Sequence, residues 1–165
     1  MQRLILLRHA KSDYPPGVPD HDRPLNARGR RNAATIADRL RPYLATGSTV
    51  VAAVSTATRT QETWEIVNRA LAVQHWNDRT LYLANTQTLL EVASVMQADV
   101  GIIVGHNPGL EELARLGGGS AESVDVVTGR RLAEKFPTSA FAVLESRAAE
   151  WDGDQLSCTG FAVCR

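Results

Sequence analysis

The chain has 165 residues, of which 44% are hydrophobic, and its 18 Lys and Arg residues balance its 18 Asp and Glu residues. This length and composition predict one soluble globular domain with a substantial core, and they exclude an intrinsically disordered chain. The formal net charge of zero argues against nucleic acid or an anionic membrane as the main partner, although a local basic pocket remains compatible with it.

The N-terminus and the cysteines bear on the compartment. No uninterrupted apolar stretch reaches the roughly 18–20 residues that span a membrane, and the apolar run near the N-terminus is too short for a signal peptide. Cys158 and Cys164 lie near the end of the chain without the spacing of zinc ligands, which indicates ordinary thiols. We therefore expect a cytoplasmic protein without a metal or another cofactor.

Short apolar runs alternate with helical patterns through the first two thirds of the chain. Strands are predicted at residues 4–7, 50–54, 79–84 and 100–104. Helices are predicted at residues 26–44 with Asn26 as N-cap, at 57–71, at 86–97, and from Pro108 through residue 113. This alternation predicts a parallel sheet with helices on both faces.

The remaining segments are different in character. Residues 11–24 hold four of the seven prolines, which excludes a helix or a central strand and predicts a functional loop. Residues 115–123 are predicted to be flexible, residues 125–136 are ambiguous, and Trp151 is a candidate strand residue. Strands at 141–144 and 161–163 are close enough in sequence to pair antiparallel. The expected fold is a three-layer α/β/α domain over residues 1–165, with a mostly parallel central sheet and antiparallel strands near the C-terminus.

Polar side chains follow three of the predicted strands. Arg8 and His9 follow the first, Arg59 lies in the first turn after the second, and His106 and Asn107 follow the strand at 100–104. Because the carboxyl ends of parallel strands share one edge of a sheet, these side chains should meet in a crevice. Arginine forks and helix N-termini suit phosphate oxygens, and a histidine can attack phosphorus. The pattern therefore predicts a phosphoryl site.

Each of these residues also has a purely structural alternative. Arg59 could pair with Glu62 or Glu65 on its own helix, and His106 could be a hydrogen-bonded turn histidine. Arg23 could contact phosphate or anchor the proline-rich loop. Taken singly, each is weak evidence, and it is their coincidence at three strand ends that favours a functional site.

Several segments resemble a known family. "LLRHAKSD", "STATRTQET" and "VGHNPGL" resemble, in order and approximate spacing, the three signatures of the histidine phosphatase superfamily. "DRPLNARGRRNA" and "PTSAFAVLE" resemble segments of its SixA-type phosphohistidine phosphatase branch. The resemblance implies a phosphoglycerate mutase-like fold and a phosphatase in which His9 attacks phosphorus. It also implies that Arg8, Arg59 and His106 hold the phosphoryl oxygens without a metal, while Asn107 orients the pocket.

The resemblance leaves the general acid unassigned. Ala10 stands where many members have glycine, a small change that related SixA-like sequences share. Asp13, Asp20, Asp22 and Glu91 are all possible acids, and each could instead be a solvated residue. Because the P–N bond of phosphohistidine is labile, the lack of a strong acid favours phosphohistidine over an unactivated phosphomonoester. The chain between the second and third signatures leaves little room for a lid, so a phosphorylated protein side chain could enter.

Three other functions stay open at this point. The chain could be a small-molecule phosphomonoester phosphatase of the same fold, acting on a phosphorylated metabolite, or a phosphate-binding module without turnover. It could also be a metal-dependent hydrolase, although the acidic and histidine residues involved lack the spacing of a recognised ligand motif: His9, Asp13, Asp20, His21 and Asp22. Neither a P-loop nor a GxGxxG motif is present, so nucleotide binding through them is not predicted.

Overall fold

The computed structural model describes residues 2–118, 130, 132, 134–146, 151 and 155–165, and in this part of the chain six strands form one sheet. The strands are β1 Gln2–Arg8, β2 Val50–Ser55, β3 Gln74–Asp78, β4 Val100–Gly105, β5 Ala140–Ser146 and β6 Leu156–Val163. The long helices of the same residues are α1 Ala27–Leu40, α2 Thr58–Leu71, α3 Thr86–Ser94 and α4 Gly109–Gly118.

The sheet is mixed, in the order β3-β2-β4-β1-β5-β6. Strands β3, β2, β4 and β1 are parallel neighbours, whereas β5 pairs antiparallel with β1 and β6 pairs antiparallel with β5. The register places Arg8 of β1 opposite Gly105 of β4, so the carboxyl ends of these strands lie side by side. The predicted architecture, mostly parallel with antiparallel strands near the C-terminus, is confirmed.

Strand β1 is buried on both faces because helices cover both sides of the sheet. Leu4 and Leu6 belong to the apolar cluster that includes side chains of α3 and α4. Ile5 and Leu7 belong to the cluster that includes side chains of α1 and α2. All four are fully buried, and each contributes about 1.5–3 kcal/mol of hydrophobic stabilisation. This continuous apolar run fixes the strand whose end carries Arg8 and His9.

Helix boundaries follow local capping chemistry. The side-chain oxygen of Asn26 accepts the backbone N–H of Gly29 at 2.8 Å, which confirms the predicted N-cap. Helix α1 ends at Leu40 and not at residue 44, because the next turn, Arg41–Tyr43, is a 3-10 turn that contains a proline. Helix α2 begins at Thr58, one residue later than predicted, and α3 ends at Ser94, three residues earlier.

The prediction of a strand at residues 79–84 is wrong. The strand lies earlier, at Gln74–Asp78, and it is an edge strand that pairs with β2. Its sequence "QHWND" is polar apart from the half-buried Trp76, so no apolar alternation marks it. Residues Arg79–Leu81 form a 3-10 turn instead, in which the Asp78 carboxylate accepts the N–H of Thr80 at 2.8 Å.

The prediction of a flexible stretch from residue 115 is also wrong at its start, because α4 continues through Gly118. A Cβ on Gly117 would lie 2.9 Å from the Leu144 side chain and 3.1 Å from the Cys158 nitrogen. The glycine therefore allows the last turn of α4 to pack closely against β5 and β6. The rest of residues 115–123 and most of 125–136 lie outside the described residues.

The C-terminal predictions are confirmed except for Trp151, which lies outside any strand. Cys158 in β6 and Cys164 just after it are free and buried, and burial raises the pKa of both thiols to about 11. Across the described residues, none of the helices has the length and apolar character needed to cross a bilayer.

Candidate active site

The side chains predicted to converge do so. Arg8 and His9 at the end of β1, Arg59 in the first turn of α2, and His106 and Asn107 after β4 line one cavity of about 360 Å³. The ring centroids of His9 and His106 are 5.2 Å apart. Arg23, the remaining candidate, also lines this cavity. Three separate strand ends therefore form a single pocket.

His9 presents an unprotonated nitrogen to this pocket. Its Nδ1 lies 2.7 Å from the carbonyl oxygen of Ala10, and because a carbonyl can only accept, Nδ1 carries the proton. Nε2 therefore keeps its lone pair, to which the Nε–H of Arg59 donates at 3.3 Å. Burial is the main cause that lowers the pKa of His9 to about 3, with Arg59 and Arg8 acting in the same direction. The ring is neutral at neutral pH.

Main-chain contacts hold His9 in place from three elements. Its N–H donates to the carbonyl of Gly105 on β4 at 3.2 Å, and its carbonyl accepts the N–H of Ser139, just before β5, at 3.1 Å. The next N–H, of Ala10, donates to the Thr63 hydroxyl of α2 at 2.9 Å. The imidazole is thus fixed by the sheet and one helix, and a mobile loop does not carry it.

His106 adopts the opposite tautomer to His9, with its proton on Nε2. Its Nδ1 lies 3.3 Å from a terminal nitrogen of Arg59, and because a guanidinium can only donate, Nδ1 accepts. In the neutral ring Nε2 then carries the proton and donates to the Ser55 hydroxyl at 2.9 Å. Burial first, then His9 and Arg59, lower the pKa of His106 to about 3. The edge-on ring of Tyr82, 5.4 Å away between centroids, completes its surroundings.

Arg59 connects the two histidines to the loop over the pocket. Besides its bonds to both imidazoles, its terminal nitrogens donate to the backbone carbonyl of Asp20 at 2.5 Å and to the Asp20 carboxylate at 3.0 Å. The buried guanidinium therefore forms its ion pair with the loop after β1 and not with the glutamates of its own helix. This pairing aims Nε at the unprotonated Nε2 of His9.

Asp20 is the candidate acid that lines the cavity, and it is ionised. Its carboxylate accepts from the Tyr82 hydroxyl at 2.7 Å, from Arg23 at 2.6 Å and from Arg59 at 3.0 Å. The hydrogen bond from Tyr82 is the largest cause that lowers its pKa to about 2, and both arginines contribute. The lining of the cavity does not include Asp13, whose carboxylate accepts from the N–H of Tyr14. Asp22 and Glu91 do not line it either.

The two candidate binding residues are engaged by protein groups. Arg23 donates to the Asp13 carbonyl at 2.9 Å, to Asp20 and to the Ser12 hydroxyl, so it anchors the proline-rich loop while lining the cavity. The side-chain amide of Asn107 donates to Glu111 at 2.7 Å and to a backbone carbonyl at 3.0 Å. Both therefore brace the walls of the pocket.

Arg8 is a partly buried member of the cavity lining. One of its terminal nitrogens donates to the carbonyl of Phe136 at 2.6 Å, and burial lowers its pKa. Its Nε is buried and has no hydrogen-bond partner within the part of the chain that the structure describes. A buried N–H donor without a partner is costly, so among the described residues this nitrogen is an unpaired polar group in the wall of the cavity.

The sequence analysis did not identify Ser55 and Tyr82 as site residues. Ser55 ends the apolar strand β2, and this position at a strand end is the signal that could have identified it. Tyr82 has no such signal, because it directly follows a 3-10 turn and does not lie in the predicted strand. A Cβ on Gly109 would lie 2.1 Å from the carbonyl oxygen of Ala84, so this glycine lets the start of α4 pack against the Tyr82 segment.

The proposed metal set is not assembled. Within the described residues, no group of three or more His, Cys, Asp or Glu side chains lies close enough together to hold a metal ion. Asp20 is bound to arginines and a tyrosine, and His21 faces the Thr56 hydroxyl at 3.0 Å. The metal-dependent alternative therefore lacks a ligand set in this part of the chain.

Comparison with known proteins gives one consistent result. The profile of the histidine phosphatase superfamily (branch 1) matches residues 4–82. The Mycobacterium tuberculosis protein named Uncharacterized protein Rv1276c is 36% identical over 164 residues, covering 96% of this chain and all of that protein. A crystal structure named for phosphohistidine phosphatase SixA from Agrobacterium tumefaciens is 30% identical, with a TM-score of 0.78, over 98% of this chain and 97% of the other. The chain belongs to the histidine phosphatase superfamily.

A second structure supports the same assignment. The SixA structure from Nakamurella multipartitia is also 30% identical, with a TM-score of 0.79, over 99% of this chain and 96% of the other. The resemblance to the superfamily and to its SixA branch, and the prediction of a phosphatase, are thereby confirmed. The profile match includes Arg8, His9 and Arg59, whereas His106 lies beyond it. In this histidine phosphatase it is the fold that brings His106 to the others.

Proposed function

We propose that this histidine phosphatase removes phosphate from phosphohistidine on a protein, through a phosphorylated His9 and without a metal. The observation that carries the proposal is the unprotonated Nε2 of the buried His9, which faces the cavity beside Arg59. Its lone pair attacks phosphorus while the bond from phosphorus to the leaving imidazole breaks, and that nitrogen takes a proton from solvent. Water then attacks the phosphorus on His9, which releases phosphate and restores the neutral ring.

The positive charge that such a transfer needs comes from arginine. Arg8 lines the cavity, and Arg59 lies between the two imidazoles. Fixed donors around the transferring group stabilise the charge of the transition state without reorganisation. His106, held by Ser55, forms the remaining wall. These groups support a metal-independent reaction.

The state of Asp20 supports a labile leaving group. A carboxyl with its pKa lowered to about 2 carries no proton to donate at neutral pH. An unactivated alkyl phosphate would require such a donor, because its alkoxide leaves poorly. The P–N bond of phosphohistidine requires much less help, so the site suits that substrate.

A small-molecule phosphatase is the second candidate, favoured by the size of the cavity. A cavity of about 360 Å³ falls within the range of pockets that bind metabolites.

We also propose that the protein is cytoplasmic, since two buried free thiols suit a reducing compartment.

A substrate panel tests the proposal. The wild-type protein is assayed with a phosphohistidine protein, acetyl phosphate and a sugar phosphate, each with and without a strong chelator. We expect the highest kcat/KM on phosphohistidine and no effect of the chelator. An alkaline quench, which preserves P–N bonds, should trap phosphate on the wild type and none on His9→Ala.

Other outcomes would select the alternatives. Comparable kcat/KM on the sugar phosphate and on phosphohistidine would indicate a broad small-molecule phosphatase. Phosphate binding without turnover or trapped phosphoenzyme would indicate a binding module. Loss of activity in chelator would contradict the metal-independent mechanism.

A further inference from the structure

Large apolar and aromatic side chains are exposed at the mouth of the cavity. Four such side chains are more than half exposed in the described residues: Tyr14, Leu83, Val95 and Leu116. Tyr14, at 66% exposure, and Leu83, at 54%, both line the cavity, whereas Val95 and Leu116 do not. The two come from separate segments, the loop after β1 and the segment before α3. We call this pair the mouth wall.

Tyr14 lies on a fixed support. The guanidinium carbon of Arg23 is 3.5 Å from the centroid of the Tyr14 ring. Arg23 is itself held by hydrogen bonds to Ser12, Asp13 and Asp20. Although most of the tyrosine is in solvent, its ring is therefore supported from one side by a braced cation. Lys11 Nζ also lies over the ring, 5.7 Å from its centroid, and the residue is still 66% exposed, so part of the ring can contact a ligand.

Leu83 is held in an unusual backbone conformation. Its φ is +53°, in the left-handed region that a branched side chain seldom adopts. Its neighbours are fixed, since the Tyr82 hydroxyl donates to Asp20 and the Ala84 carbonyl lies against Gly109. Such outliers concentrate at functional sites. The backbone of this segment thus holds the Leu83 side chain beside the cavity, where it is 54% exposed.

The direction of phosphoryl transfer places a leaving group at this mouth. The attacking and leaving atoms lie roughly in line across phosphorus. Because His9 is buried at the floor, the leaving group of a bound substrate must lie on the solvent side. We propose that the mouth wall packs against the flat imidazole of the phosphohistidine being cleaved and thereby selects substrates with a planar ring as leaving group. This inference rests on the proposed function and names the residues that set its specificity.

The test compares ring-bearing substrates with one that has no ring. The quantity measured is the ratio of kcat/KM for phosphohistidine peptide, and separately for phenyl phosphate, to that for acetyl phosphate. Aromatic and apolar contacts of this kind are worth about two- to tenfold, so Tyr14→Ala and Leu83→Ala should each lower both ratios by about that factor. Tyr14→Phe, which keeps the ring, should keep the wild-type ratios. Leu116→Ala is the matched control, since Leu116 is 53% exposed away from the cavity.

Two outcomes would overturn the inference, and a third would overturn only the proposed function. If Tyr14→Ala and Leu83→Ala reduce all three substrates equally, the mouth wall acts on the fold or on phosphate and not on the leaving group. If Tyr14→Phe loses as much as Tyr14→Ala, the hydroxyl and not the ring is responsible. Wild type that cleaves phenyl phosphate but not phosphohistidine would refute the proposed function. The ratio of phenyl to acetyl phosphate would still decide whether the mouth wall recognises a planar ring.

Discussion

The floor and the mouth of the cavity are built differently. On the floor, His9, Arg59 and His106 are 7%, 4% and 3% exposed and lie at the ends of strands or in the first turn of a helix. At the mouth, Tyr14 and Leu83 are mostly in solvent and lie on connecting segments. The floor has one arrangement because the sheet fixes it, whereas the mouth can vary without disturbing the core. The two proposals together therefore place the chemistry on the floor and the choice of substrate at the mouth.

The largest effect should come from removing the proposed nucleophile, His9, on the floor. We expect His9→Ala to lower kcat by at least about a thousandfold, because the proposed phosphorylated intermediate forms on its Nε2. The exposed His75 on β3 provides the matched control, and His75→Ala should keep nearly full activity. Steady-state rates with acetyl phosphate measure both variants. A His9→Ala protein with a tenth of wild-type activity would disprove the role of this residue.

The next largest effect should come from Arg59. We expect Arg59→Ala to lower kcat/KM by about a hundredfold or more, the usual loss for a fixed donor to a developing charge. Arg69 lies on the same helix, exposed and paired with Glu65, so Arg69→Ala controls for changes to α2. Equal losses in the two variants would assign the effect to the helix and not to the site.

The buried histidines of the floor should make stability depend on pH. Both have their pKa lowered to about 3 in the folded protein, against about 6.5 in the unfolded chain, so the unfolded state binds more protons below pH 6.5. Stability is then complete above pH 6.5 and falls as the pH falls towards 3. At pH 5 the loss should be about 2 kcal/mol for each histidine.

Urea unfolding at pH 7, 6 and 5 measures this dependence. His106→Gln should remove about half of the slope between pH 6.5 and 5, because one of the two groups no longer titrates. An unfolding free energy that stays constant over this interval would contradict the neutral buried state of both rings.

The smallest effect concerns the charge at the mouth. Asp20→Asn removes an anion beside the phosphoryl site while keeping the side-chain shape, so inorganic phosphate should inhibit about fivefold more strongly. This corresponds to about 1 kcal/mol between unit charges at 4 Å in water. Asp22→Asn, which changes the exposed carboxylate beside His21, is the control. Weaker inhibition by phosphate in Asp20→Asn would show that Asp20 matters chiefly by holding Arg59.

The floor could be predicted from the sequence, whereas at the mouth only the proline-rich loop that carries Tyr14 could be predicted. Runs of buried aliphatic residues mark β1, β2 and β4, and the rule that parallel strands end on one edge then brings His9, Arg59 and His106 together. The contact of Tyr82 with Asp20 joins two loops that no periodicity relates. The strand predicted at residues 79–84 is wrong because the true edge strand, β3, is polar and shows no apolar alternation. Edge strands bury little, so their sequences carry little of the alternation that prediction depends on.

The ionisation states of the candidate acids could not be predicted from the sequence either. The sequence does not distinguish the four candidate acids, whereas the structure shows that Asp20 accepts hydrogen bonds from Arg23, Arg59 and Tyr82. In the sequence, Arg23 is equally compatible with binding phosphate and with anchoring a loop. Its three protein partners show that it anchors the loop, and because it also lines the cavity, phosphate binding stays a prediction. Such distinctions depend on tertiary neighbours.

The two buried cysteine thiols near the C-terminus can be used to detect local opening of the structure. Cys158 and Cys164 are inaccessible and, with their pKa raised to about 11, almost wholly protonated at neutral pH. Alkylating reagents can therefore modify them only while local opening of the structure exposes them. The rate of labelling therefore measures how often the structure opens around each cysteine, without any engineered probe.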